Sequence, residues 1–289
     1  LQVIYTLTKN STMKKTAIRL MAFATIVFSA VACNNEAEKK AEVKEPVLKE
    51  ENVTYTADSV SMNGFVVYDE NIEGARPAVL VVPEWWGLTD YGRMRARELA
   101  KLGYIAMAID MYGNGKTADN PDSAGAFATP FYQNPQMAKN RIEAAIAKIK
   151  TYPQTDAANV AAIGYCFGGA MVLNTARMGI DLKAVVSFHG NLVGTPLNRD
   201  LLKSKILVCH GAADPFVPVE EVAKFKKEMD STGIAYTFEE YADAVHAFTN
   251  PNATAMGEKF KIPIKYNAAA DTASWKDMNE FFTSLFQQQ

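Results

Sequence analysis

Residues 159–169, Asn-Val-Ala-Ala-Ile-Gly-Tyr-Cys-Phe-Gly-Gly, join an apolar run to a glycine-flanked Cys166 and then to a helical pattern. This order predicts a strand, a sharp turn and a helix. Glycines at 164 and 168 suit a turn where backbones pass too close for side chains.

The rest of the chain repeats the theme. Residues 78–82 are a continuous apolar run between Pro77 and Pro83, the mark of a strand buried on both faces of a parallel sheet. Further strands are expected at 104–109, which ends at Asp110, and at 160–164, 184–188, 206–209 and 236–240. Helices are expected over 89–102, capped by Thr89 or Asp90 and stopped at Gly103, and over 136–151, 168–178 and 219–232. A last helix over 271–286 places Trp275, Met278, Phe281, Phe282 and Leu285 on one face. Strands alternating with helices predict an α/β fold with a mostly parallel central sheet and helices on both faces. Residues 53–69 alternate apolar and polar around Asn63-Gly64, which predicts two short antiparallel strands at one edge. Residues 113–135, with three Pro and three Gly and no clear period, are expected to be a long irregular lid or binding loop.

Composition narrows the functional classes. A chain of 289 residues, 48% hydrophobic with net charge -2, can bury a large core and gives no reason to expect nucleic acid as a partner. Three scattered cysteines, Cys33, Cys166 and Cys209, form neither a disulfide framework nor a zinc ligand set, so no metal or cofactor is implied. Residues 1–33 are read apart from the fold. Met13-Lys14-Lys15 opens a charged segment, residues 17–32 are mainly apolar, and Cys33 follows Ala30-Val31-Ala32, so an export signal is expected, with residues 1–12 preceding its start. Cys33 is the expected lipid acceptor of an envelope lipoprotein, with plain signal-peptidase cleavage as the alternative. Residues 34–52 are Lys/Glu-rich and are expected to be a disordered tether, leaving 53–289 as the folded domain.

In a parallel sheet, ligands bind beyond the carboxyl ends of the strands. The turn at Cys166 matches G-x-S-x-G with Cys in place of Ser, which makes it a candidate nucleophile. Asp214 follows one strand in His-Gly-Ala-Ala-Asp-Pro-Phe-Val-Pro, and His246 follows the last in Asp-Ala-Val-His-Ala-Phe. Nucleophile, acid and histidine thus occur in the order of an alpha/beta-hydrolase triad. His189, also at a strand end, rivals His246 as the base, and Asp243 is the nearest substitute for Asp214. Trp85, Trp86, Tyr112, Phe127, Phe131 and Tyr132 are candidates to line an apolar pocket.

With these residues assembled, the chain resembles the dienelactone hydrolase family of the alpha/beta-hydrolase superfamily. The likeness rests on Pro-Glu-Trp-Trp-Gly at 83–87, Asp-Met-Tyr-Gly-Asn-Gly-Lys at 110–116, Gly-Tyr-Cys-Phe-Gly-Gly at 164–169, Ala-Asp-Pro-Phe-Val-Pro at 213–218 and His246-Ala247-Phe248. It implies a hydrolase that opens an ester or lactone of a small substrate through a thioester. It also implies that Glu84 exchanges hydrogen bonds with the nucleophile and that the N-H groups of Trp85 and Phe167 form an oxyanion hole. Aromatic-lactone members bind the substrate carboxylate through arginines, one shortly after His-x-Phe. Here that place holds Thr249-Asn250-Pro251, and residues 113–135 offer only Lys116 as a long cation. Trp86, Tyr112, Lys116, His189 and Asn250 are accordingly the expected pocket residues, and dienelactone itself is not the expected substrate. A non-catalytic binding lipoprotein holding an apolar acid, and thiol redox chemistry between Cys166 and Cys209, are the rival readings.

Overall fold

The computed structural model describes residues 45–286. The expected export signal, Cys33 and the first part of the tether lie outside the described residues. Strand β1 (Leu48–Ala57) turns directly into β2 (Val60–Asp69). There follow β3 (Arg76–Val82), α1 (Asp90–Lys101), β4 (Ile105–Ala108), α2 (Pro121–Gln133) and α3 (Pro135–Ile149). The second half comprises β5 (Thr155–Tyr165), α4 (Phe167–Arg177), β6 (Ala184–Phe188), β7 (Lys205–Gly211), α5 (Val219–Thr232), β8 (Tyr236–Tyr241), α6 (Ala253–Phe260) and α7 (Ala268–Phe286).

The eight strands form one sheet in the order β1-β2-β4-β3-β5-β6-β7-β8. β3 to β8 run parallel, while β1 and β2 pair antiparallel at one edge. Alternate residues of the central strands face two separate cores. Leu80 and Val82 pack with Ile142 of α3, Met171 of α4 and Phe225 of α5. Val79 and Val81 face Leu99 of α1 and Met278 and Phe282 of α7. Helices therefore cover both faces, as the alternation required.

Three expectations need correction. The edge hairpin turns at Asp58-Ser59, not at Asn63-Gly64. Both turn residues have positive φ, 48° and 62°, the primed geometry that matches strand twist. Gly64 lies within β2 for another reason: a side chain there would meet Met107 Cε at 2.9 Å. Leu48 to Asn52, read as the end of a disordered tether, form the first half of β1, paired with Phe65 to Asp69. The stretch 113–135 is largely helical. Asn120 caps α2 by accepting the Ser123 N-H, Pro121 starts the helix, and Pro130 lies inside it. The number of prolines hid this helix, because two of the three sit where the first turn has no N-H partner to lose.

Candidate active site

β3 and β5 are neighbours although β4 lies between them in the chain, so the connections diverge there and open a crevice at the strands' carboxyl ends. Glu84 follows one of these strands and Cys166 the other. Cys166 has φ 53° and ψ -115° and forms the N-cap of α4. This left-handed backbone is strained for a residue with a Cβ and holds only where surrounding contacts impose it. The glycines explain how. A Cβ on Gly164 would lie 2.2 Å from the Gly168 carbonyl oxygen, and one on Gly168 would lie 2.3 Å from the Val82 oxygen. The helix therefore starts pressed against β3 and β5, with the Cys166 side chain turned outward into a cavity.

His246 donates from Nδ1 to Asp214 Oδ2 at 2.8 Å, and the Asp214 side chain is fully buried. The other Asp214 oxygen accepts the Phe216 N-H at 2.8 Å, so this carboxylate both orients the imidazole and shapes its own turn. His246 borders the same cavity as Cys166 and feels the charge of its sulfur. Burial works against the imidazolium, but the Cys166 sulfur and the Asp214 carboxylate outweigh it, and His246 is pushed up to about 10. Cys166, His246 and Asp214 are thus brought together from the ends of β5, β8 and β7.

Glu84 is buried, and burial pushes its carboxyl up to about 7 against the pull of Asn250, His246 and Arg95. Asn250 Nδ2 donates to Glu84 Oε2 at 2.7 Å. Trp85 and Phe167 border the same cavity as Cys166 and His246. Phe167 opens α4, so its N-H belongs to the first turn, whose donors have no partner within the helix. The cavity measures about 190 Å³ and is walled by Trp85, Trp86, Tyr132, Phe216, Ile262 and Ile264. Neither Lys nor Arg lines it among the described residues.

Of the five expected pocket residues, Trp86 is a wall and the other four lie elsewhere. Tyr112 stands one layer back, where its hydroxyl donates to the Trp85 carbonyl at 2.8 Å. Its position follows from Asp110, a buried carboxylate that accepts the N-H groups of Asn63, Tyr112, Gly113 and Gly115. Lys116 is exposed, and its part is played by its carbonyl, against which Gly87 packs too closely for a Cβ. Asn250 faces a second cleft and touches the site through Glu84. His189 is buried behind Cys166 and accepts its backbone N-H, and it does not line the cavity. Phe216, Ile262 and Ile264 escaped the sequence reading. Phe216 stood in a quoted motif without a role, whereas the isoleucines reach the cavity only because residue 264 bridges to His246. Cys209 lies in the core of β7, with burial pushing its thiol upward; it is not bridged to Cys166.

Known proteins share this fold. A solved dienelactone hydrolase-like promiscuous phosphotriesterase from metagenomic libraries is 36% identical, superposes with a TM-score of 0.77, and is matched over 83% of this chain and 99% of its own. A second solved structure, m3DLH, is 34% identical with a TM-score of 0.78 over 83% of this chain and 99% of that one. The Aquifex aeolicus protein named "Putative carboxymethylenebutenolidase" is 29% identical over 203 residues, 68% of this chain and 86% of that protein. The sequence pattern of the Dienelactone hydrolase family matches residues 62–286. With its alpha/beta-hydrolase fold, the chain belongs to the dienelactone hydrolase family and is an ester and lactone hydrolase.

Proposed function

We propose that Cys166 is the nucleophile of a Cys-His-Asp triad that hydrolyses neutral, apolar esters or lactones through a thioester. The observation that carries this reading is His246, hydrogen-bonded to Asp214, lining one aromatic cavity together with Cys166. The sulfur attacks as thiolate, the form in which Cys is nucleophilic. The carbonyl oxygen becomes an oxyanion between the N-H groups of Trp85 and Phe167. His246, protonated at neutral pH, gives its proton to the departing alkoxide; then, neutral, it takes one from the water that opens the thioester. Asp214 keeps Nδ1 as the donor, so Nε2 is the nitrogen that exchanges protons. Glu84 lines the same cavity, so a substrate displacing its bond to Asn250 would bring its charge to bear on the thiol.

The cavity supports uncharged substrates. A substrate carboxylate would enter beside Glu84 with no Lys or Arg among the lining residues to pair it, and an unpaired buried charge is costly. The test is a panel of neutral and carboxylate-bearing aryl esters and lactones, with neutral phosphotriesters added because a solved relative is described as a promiscuous phosphotriesterase. Neutral esters should turn over at least about tenfold faster in kcat/KM than charged ones, a difference of about 1.4 kcal/mol. Cys166→Ala should abolish turnover, and quenched reactions should show the acyl mass on the Cys166 peptide. Full activity in Cys166→Ala sinks the assignment. A tightly held ligand recovered unchanged, without turnover, would instead favour the binding-protein reading.

Residues 1–33 are proposed as an export signal with Cys33 as lipid acceptor. A full chain expressed in a bacterial host should incorporate labelled fatty acid, and Cys33→Ala should not. Equal labelling of the two would remove the proposal.

A further inference from the structure

The segment after His246 touches more of the machinery than the histidine itself. Asn250 holds Glu84, and between them Thr249, fully buried, bonds His189. The Cys166 N-H donates both to the Phe188 carbonyl, at 2.9 Å, and to His189 Nδ1, at 3.1 Å. Nδ1 therefore carries the lone pair, and the ring proton sits on Nε2, which donates to Thr249 Oγ1 at 2.7 Å. The Thr249 hydroxyl also shares a hydrogen bond with the Tyr91 hydroxyl at 2.6 Å. Arg95 closes the chain: it reaches the Tyr91 oxygen at 3.4 Å and the Thr249 carbonyl at 2.6 Å, and is itself pinned by Glu98 and Asp271. The Cys166 N-H on Nδ1 thus fixes a single neutral tautomer of His189, and Thr249, itself held by Tyr91 and Arg95, anchors the other ring nitrogen.

We propose that Thr249 is a positioning residue for the nucleophile, acting through His189 to hold the strained backbone of Cys166 in line with His246. His189 itself has φ 43°, so two successive strand ends, at Cys166 and His189, are held in left-handed backbone against each other. A free imidazole could rotate or exchange tautomers. A proton on Nδ1 would face the Cys166 N-H and drive the turn apart. Thr249, bonded to Nε2, pins the ring against rotation, and because it lies three residues beyond His246, base and nucleophile are set by one short stretch of chain. The line reaches the nucleophile through its backbone, away from the cavity, and so has no contact with substrate.

This inference rests on the reading of Cys166 as nucleophile, so its test includes a measurement that needs no substrate. The rate of iodoacetamide alkylation is followed on the Cys166 peptide of the full chain by mass spectrometry, for the wild type, Thr249→Val and Thr249→Ser. Valine keeps the shape and removes the hydroxyl; serine restores it. Thr249→Val should alkylate about tenfold more slowly and lose about tenfold in kcat with KM within about twofold, the signature of misaligned groups rather than lost binding. Thr249→Ser should recover most of both. Wild-type alkylation in Thr249→Val overturns the proposal, as does equal loss in the two variants, which would make the hydroxyl irrelevant. If Thr249→Val does not fold, Tyr91→Phe removes the hydroxyl that holds Thr249 while keeping the ring packed on Tyr165, and wild-type alkylation there is equally fatal. A chain that hydrolyses nothing but shows these alkylation differences would retain the positioning role and lose the proposed reaction.

Discussion

Glu84 shows how far a single side chain can run against the stability of the fold that holds it. Burial is the largest influence on its carboxyl and raises it from 4.5 to about 7. The folded state therefore binds the proton more tightly than the unfolded one, and this group's contribution to stability falls as pH rises from about 4.5 through 7. Glu84→Gln removes the ionisation while keeping an oxygen for Asn250. The variant should melt close to the wild type at pH 5 and above it at pH 8, by a margin of at most about 3 kcal/mol. Thermal unfolding of both proteins at the two pH values measures it; equal margins at both would mean that Glu84 is not buried as a charge. His189 carries the opposite slope. Burial, with His246 and Arg95 nearby, holds it well below its ordinary value, so its contribution is lost as pH falls through the unfolded value of 6.5. Local chemistry identified Cys166, Asp214 and His246 in the sequence, because each ends a strand and carries a reactive group. The same reasoning put His189 in the pocket, since a strand-end position does not say on which side of the turn a ring packs.

At the scale of elements, the tight contact between α4 and β3 sets the nucleophile's geometry. Adding one methyl at Gly168 would bring it to 2.3 Å from the Val82 oxygen and 2.6 Å from the Pro83 oxygen. Neither atom belongs to a side chain that could swing away. Gly168→Ala should therefore cost several kcal/mol, above the roughly 1–3 typical of overpacking, and whatever folds should have lost nearly all turnover. Denaturant unfolding and kcat measured together check this, and a stable, active alanine variant would show that the helix can shift. Glycine flanks were readable in sequence because only close backbones require them. Helix α2 was not, since its prolines and glycines read as irregular chain, although it supplies Ala128 and Tyr132 to the cavity wall. The unpredicted α6 escaped for a related reason: eight residues, Ala253–Phe260, are too few to display a period.

Across the whole molecule, the groups around Cys166 are attached to both cores of the sheet. Cys166 begins a helix that packs on one face, whereas Arg95 and Asp271, which anchor the line to His189, come from α1 and α7 on the other. The crevice between β3 and β5 is where these two halves of the structure meet. Parallel pairing from β3 through β8 brings six strand ends to one rim, so residues as distant as Glu84 and Asn250 bond directly. By itself the sequence determined the α/β alternation, the elbow and the order of the triad, because buried strands, helical periods and crowded glycines are local consequences of local chemistry. Tertiary structure alone decided which aromatic side chains wall the cavity, that Tyr112 braces Trp85 from behind, and that Thr249 speaks to Cys166 through His189. Those outcomes depend on contacts between segments dozens of residues apart, and no spacing along the chain encodes the side on which a packed ring comes to rest.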